Sequence, residues 1–315
     1  MNAAVRLWPG TDRPVSAIGW TIRPSDLRDG HRLQGLLRRS QSAGIDLIDL
    51  TMLPKGSLRE RAFWAHAGAV GYRPSRAILS LTPSSSMART RSASPRPYDQ
   101  ALERIREGLP PGTEVWIAAP VLAEDSSGEE ATARAALSEA TRQGTIDGWG
   151  VDGWAVDHRA GFADPMFIVT RLSLLHRDPT PPMEDRPRAW LVRDPLAGGL
   201  LDGSAIAERT RSLGGPPGQP PAPVRDLGEW LRPVTRLGPI VRRGSRTLAQ
   251  SAIRWALDRP GVDAVLTPLP LPERFAEIIA GPTVPALTAE EEAVADLVYQ
   301  SMPALDAPHA AGRDP

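Results

Sequence analysis

Cysteine is absent from this 315-residue chain. That excludes disulfides, thiolate metal sites and thiol nucleophiles, while leaving the redox compartment open. Lysine is almost absent: Lys55 is the single one among 37 basic residues, which leaves 36 arginines. With abundant alanine and proline, this composition suits a GC-rich bacterial genome. Tyrosine is scarce, at Tyr72, Tyr98 and Tyr299. Basic and acidic side chains balance at 37 each, so no global field draws the chain to nucleic acid or an anionic membrane. No apolar run approaches the ~18 residues of a membrane span, and Met1–Leu7 has no signal-peptide core. A cytoplasmic location is the resulting expectation. What is present is ordinary globular material, 41% hydrophobic and 23% charged, enough for one core.

Short apolar runs alternate with amphipathic stretches, the pattern of βα units around a parallel sheet. An opening hairpin is predicted from Val5–Trp8 and Val15–Ile18 across Pro9-Gly10-Thr11-Asp12. Strands are predicted at Ser16–Trp20, Ile45–Leu50, Ala77–Leu81, Glu114–Ala119, Ile146–Val151, Phe167–Leu172, Ala189–Val192 and Ala264–Thr267, with helices over Ser25–Ala43, Glu129–Gln143 and Thr247–Leu257. Eight strands with helical intervals close into a (β/α)8 barrel, which needs roughly 250 residues. The expected domain is a single barrel over 1–302, followed by a loose tail over 303–315. The segments Ser84–Arg96 and Gly214–Val224 follow strands and are expected over the C-terminal mouth, as lids or as plain insertions.

Three stretches carry a resemblance. Ala43-Gly44-Ile45-Asp46-Leu47-Ile48-Asp49-Leu50-Thr51 reads as a helix end, a buried strand and a strand-end carboxylate. Asp194-Pro195-Leu196-Ala197-Gly198-Gly199-Leu200-Leu201-Asp202-Gly203 follows a later strand, and Thr247-Leu248-Ala249-Gln250-Ser251-Ala252-Ile253-Arg254-Trp255-Ala256-Leu257 opens a helix. In this order, over about Val15 to Val298, the chain resembles the aldo-keto reductases, NADPH-dependent (β/α)8 barrels. The resemblance implies a catalytic Asp, Tyr, Lys and His. Asp49 matches the Asp, but Pro54 stands at the Tyr position, Pro83 at the Lys position and Ala118 or Ala119 at the His position. Proline and alanine have no proton to give and no charge to hold an oxyanion. The family's nicotinamide contacts correspond to Asp152-Gly153, Val169 and Arg193. Its phosphate loop corresponds to Pro268-Leu269-Pro270-Leu271, where proline removes N–H donors. Arg274 alone remains there to meet a phosphate or to sit on the surface.

The run Gly148-Trp149-Gly150-Val151-Asp152-Gly153 fits G-x-G-x-x-G. It overlaps a predicted strand instead of opening a helix, so it does not read as a dinucleotide loop. The five histidines show no metal-ligand spacing.

At the mouth, Asp49 is the candidate acid/base, or else a structural carboxylate paired with an arginine, and Arg193 is the candidate carboxylate or oxyanion holder. Asp152, Arg171 and Asp194 are candidate substrate contacts, with Trp20 and Trp154 as apolar walls. For Asp152 and Asp194, turn capping is the competing role. The expected function is therefore a cofactor-independent, non-redox enzyme on a small molecule, a cyclase, dehydratase or isomerase of bacterial specialised metabolism. No cofactor and no metal are expected, and a homo-oligomer is left open. An NADPH-dependent reductase with relocated groups, Lys55 among them, and a catalytically dead barrel used for binding or assembly are the alternatives.

Overall fold

The computed structural model describes residues 3–7, 14–53, 56–80, 102, 105–120, 127–153, 166–177, 189–205, 225–242 and 246–302. An antiparallel hairpin, β1 (Val5–Leu7) with β2 (Pro14–Ser16), opens the chain. Eight parallel strands then close into a barrel: β3 (Ile18–Thr21), β4 (Leu47–Asp49), β5 (Arg76–Ser80), β6 (Glu114–Pro120), β7 (Gly148–Asp152), β8 (Phe167–Arg171), β9 (Ala189–Arg193) and β10 (Ala264–Pro268). β10 returns to pair with β3.

The strand boundaries move by at most two residues. Two of the shifts decide where the chemistry sits: β7 ends on Asp152 and β9 on Arg193, so both lie inside strands. The expected helix from Ser25 is instead a 3-10 turn, Pro24–Arg28, followed by helix α1 (Gly30–Ala43). Asp29 separates them with extended backbone and accepts the Arg32 N–H at 2.9 Å as the N-cap, a typical aspartate role. Helix α2 (Leu58–Ala69) is an element that the sequence pattern did not reveal. Trp154, Pro54, Lys55, Pro83, both expected lid segments and the 303–315 tail lie outside the described residues. No described helix is long and apolar enough to cross a membrane.

Side chains alternate along each strand between the barrel interior and the ring of helices. The interior cluster includes Leu47, Ile78, Trp116, Ala118, Phe167, Val169, Ala189, Leu191 and Leu266. A larger outer cluster, with Trp20, Ile48, Trp190 and Trp255, packs strands against helices. Gly148 and Gly150 face the interior, and they explain the glycine motif: Trp116 and Phe167 pack edge to face there, 5.8 Å apart. A Cβ on Gly148 would lie 2.4 Å from Trp116, and one on Gly150 only 2.1 Å from the Phe167 carbonyl oxygen. The glycines make room for the core. Gly150→Ala is expected to cost about 1–3 kcal/mol by overpacking. A urea midpoint unchanged from the natural protein would contradict that assignment.

Candidate functional site at the barrel mouth

Parity builds the site. Leu47 faces the interior, so Asp49 does as well; Phe167 and Val169 place Arg171 inward, and Ala189 and Leu191 place Arg193 inward. Gly148 and Gly150 do the same for Asp152. With Thr21 of β3, these residues form the last inward layer at the C-terminal ends of the strands, the face on which such barrels carry their sites.

Arg193 ties that layer together. Its Nε donates to Asp49 Oδ2 at 3.0 Å, its Nη1 to both Asp152 oxygens at 2.7 Å, and its Nη2 to Thr51 Oγ1 at 3.1 Å. Asp49 also accepts from Thr21 Oγ1 at 2.9 Å, the Thr51 N–H at 3.0 Å and Thr51 Oγ1 at 2.6 Å. Two donors on each oxygen fill the roughly four acceptor positions of a carboxylate. The Asp49 side chain has no exposure, Arg193 is 17% exposed and Asp152 33%. Burial alone would lower the Arg193 pKa; the charges of Asp49 and Asp152 and their hydrogen bonds outweigh it, so the guanidinium is held above the ordinary arginine range. It stays charged at every usable pH. Four of its hydrogen-bonding contacts are made to Asp49, Asp152 and Thr51, and one of its five N–H groups has no acceptor among the described residues.

The remaining candidates separate. Arg171 pairs in register with Arg193 on the neighbouring strand and is exposed at the mouth. Asp194 begins the turn after β9 and accepts the Gly198 N–H at 2.7 Å. Burial raises its pKa above the usual aspartate value, against the Gly198 bond and the charges of Arg171, His176 and Arg23. Trp20 is not at the mouth. Its parity turns it outward, where it packs on Phe275 at 5.9 Å and donates its indole N–H to Ser40 Oγ at 2.8 Å.

Two of the three tyrosines, Tyr72 and Tyr299, lie among the described residues, and neither contacts the Arg193 layer. Tyr72 is buried and donates to the Ile45 carbonyl, with burial and then Asp46 pushing its pKa upward; Tyr299 stacks on Arg177. Arg274 pairs with Glu277 at 2.5 Å. No cluster of potential metal ligands occurs among the described residues. A cavity of about 290 Å3 opens beside the mouth, between the loops after β3, β9 and β10, with Arg23, Arg32, Leu196, Asp202 and Pro268 in its wall.

Sequence reasoning missed Thr21 and Thr51. Thr51 had a readable signal, since a hydroxyl two residues beyond a strand-end aspartate is placed to hydrogen-bond it. Thr21 had only its parity.

A closed barrel of eight parallel strands with a polar layer at its C-terminal mouth is the architecture of a (β/α)8 enzyme scaffold. No protein-family model matches the chain. No curated protein matches it. Solved structures do. An aldo-keto reductase from Bacillus halodurans is 15% identical in its apo form, with a TM-score of 0.62, and 16% identical in its holo form, with a TM-score of 0.63; each match covers 94% of this chain and 96% of the other. An aldo/keto reductase from Brucella melitensis is 13% identical with a TM-score of 0.63, over 95% of this chain and 98% of the other. The chain has the fold of the aldo-keto reductases.

Proposed function

We propose that the chain is a cofactor-independent, non-redox enzyme that acts on a small carbonyl or carboxylate compound at the barrel mouth. The observation that carries this reading is the bridge from Arg193 to Asp49 and Asp152. Two inward carboxylates, from β4 and β7, hold the permanent cation of β9 in a site that is only partly open to water. Preorganised charge aimed at a developing oxyanion is the largest single source of catalysis in many enzymes. Arg193 is the oxyanion or carboxylate holder, with Asp49 as its fixed, buried counter-ion and Asp152 as the solvent-facing one. On this reading Asp49 works through Arg193 and not as an acid/base, because its acceptor positions are filled.

The fold family's NADPH does not fit these residues. The positions that the resemblance aligns with nicotinamide contacts, Asp152 and Arg193, are bonded to each other at 2.7 Å, and Val169 is sealed in the interior cluster. The adjoining cavity, at about 290 Å3, lies at the small end of the roughly 300–1,000 Å3 usual for ligand pockets.

A second reading, an NADP(H)-dependent reductase with relocated catalytic groups, is favoured by the fold itself. Calorimetric titration with NADPH and NADP+ separates the two. No heat of binding is expected at millimolar cofactor, whereas micromolar affinity overturns the cofactor-independent reading. The positive test is hydrogen exchange: a panel of small 2-oxo acids incubated with the protein in D2O and followed by 1H NMR. At least one member is expected to lose its C3 proton signal faster than in buffer.

A further inference from the structure

We propose that the cavity beside the mouth binds a phosphate group, gripped by Arg23, Arg28 and Arg32. The site stands apart from the Arg193 layer and holds whichever reaction the mouth carries. One continuous segment, residues 23–32, supplies the grip. Arg23 lies in the loop after β3, Arg28 ends the 3-10 turn, and Arg32 stands in the first turn of α1. All three line the cavity of about 290 Å3.

Their hydrogen-bonding capacity is largely unspent. Each guanidinium carries five N–H groups. Among the described residues, Arg23 makes one ion-pair contact, from Nη2 to Asp26 Oδ1 at 3.5 Å. Arg32 gives one N–H, from Nη2 to the Pro270 carbonyl at 3.2 Å. Arg28 is exposed and makes neither kind of contact. The Nε atoms of Arg23 and Arg32 are sealed from solvent with no acceptor. Burying a donor in that state is costly, and an oxyanion that draws the guanidinium toward it relieves the cost. The placement is also electrostatically adverse on its own. A helix N-terminus carries partial positive charge, yet α1 has no acidic residue in its first turn and has Arg28 and Arg32 on either side of its start. Asp29, the N-cap, answers only part of that charge.

The carboxylates of the wall are already committed. Asp26, Asp29 and Asp202 each hold a backbone N–H, of Arg23 at 2.8 Å, of Arg32 at 2.9 Å and of Ser204 at 2.9 Å. They fix the turns and the helix start that frame the cavity. Three arginines against three aspartates leave the wall formally neutral. Such a wall does not collect every small anion by its field; it selects one that offers many acceptors to guanidinium forks. A phosphate group, with three strong acceptor oxygens, meets that demand better than a carboxylate with two. Leu196, Pro268 and Leu269 give the wall an apolar part for the ligand's carbon body.

A small phosphate ester and a nucleotide both carry this group, and one set of titrations separates them. The full chain is titrated in a calorimeter at constant ionic strength with inorganic phosphate, glycerol phosphate and ADP, with sodium chloride as the control. Saturable millimolar or tighter binding of inorganic phosphate and glycerol phosphate is expected, and none of chloride. The double variant Arg23→Gln, Arg32→Gln is expected to weaken phosphate at least tenfold, and Arg28→Gln at least threefold. Arg38→Gln, on the same helix but outside the cavity wall, is expected to change nothing. Arg28 is exposed and holds no other group, so its variant keeps the test open if the double variant does not fold. ADP bound more than tenfold tighter than glycerol phosphate supports the site with a nucleotide as its source; the opposite order supports it with a small ester. Absence of saturable phosphate binding by the natural protein overturns the site. So does an affinity in the folded arginine variants equal to that of Arg38→Gln. Neither of these failures alters the outcome of the exchange experiment, which alone decides the reading of the mouth.

Discussion

Arg193→Leu is expected to remove about 3–5 kcal/mol of folding stability, the cost of leaving a buried charge without its partner. Most of the penalty falls on Asp49, which has no exposure and cannot recover water; Asp152, a third exposed, rehydrates in part. The same substitution abolishes exchange, because no other described side chain bridges β4, β7 and β9. The double variant Arg193→Leu, Asp49→Leu is expected to regain a large share of the lost stability, since neither buried charge then remains, while activity stays absent. Urea unfolding of the two single variants and the double one forms a cycle that isolates the coupling. A loss below about 1 kcal/mol for Arg193→Leu would mean that the pair is open to solvent and of the weak surface kind.

The second large effect lies far from the mouth. Arg246, just before the helix Leu248–Leu257, donates to Glu291 Oε2 at 2.5 Å, and the two side chains are 5% and 4% exposed. Glu291 is also the capping residue of the last described helix, Ala289–Gln300: its carboxylate accepts the Thr288 N–H at 2.8 Å. Burial raises its pKa, but Thr288 and Arg246 together outweigh that and hold it below the ordinary glutamate value of 4.5. A depressed folded-state pKa gives stability that is complete above the unfolded pKa and is lost as pH falls through the folded one. Glu291→Gln is therefore expected to cost about 3 kcal/mol at pH 7. The gap from the natural protein narrows only below pH 4.5, as the carboxylate is protonated in the natural chain too. Denaturation midpoints for both proteins from pH 7 to pH 3 check the sign. A gap that widens toward acid would contradict it.

Much of this was open to the sequence. The apolar runs Phe167–Leu172 and Ala189–Val192 are strands buried on both faces, and that doubly covered pattern indicates a parallel barrel. Asp49, Asp152, Arg171 and Arg193 stand at strand ends with the parity of Leu47, Gly150, Val169 and Leu191, and the barrel brings them into one layer. Trp20 parts from these four by parity. An apolar run shows that a strand exists but not which residues face inward, and a slip of one residue sends a side chain to the opposite face. Pairing partners were the other gap. Nothing in the spacing from 49 to 152 to 193 announces that one guanidinium joins two carboxylates, because that contact exists only after closure of the sheet. Helix α2 escaped notice because its face is built from Ala67, Phe63 and Trp64 among small and charged residues, with little apolar periodicity.

The Arg193 bridge has a consequence for anyone wishing to graft hydride chemistry onto this scaffold. Installing a tyrosine, a lysine and a histidine at the mouth would not suffice, because a strut already crosses the space. Nor can its buried half be dismantled one member at a time, since removing Arg193 or Asp49 alone strands the charge that the other was holding, whereas Asp152 is a third exposed and leaves a paired Arg193 behind. A one-step path through Arg193 or Asp49 descends into an unstable intermediate. Redesign must replace Asp49 and Arg193 together, and the mouth is for that reason harder to alter than its ordinary fold suggests.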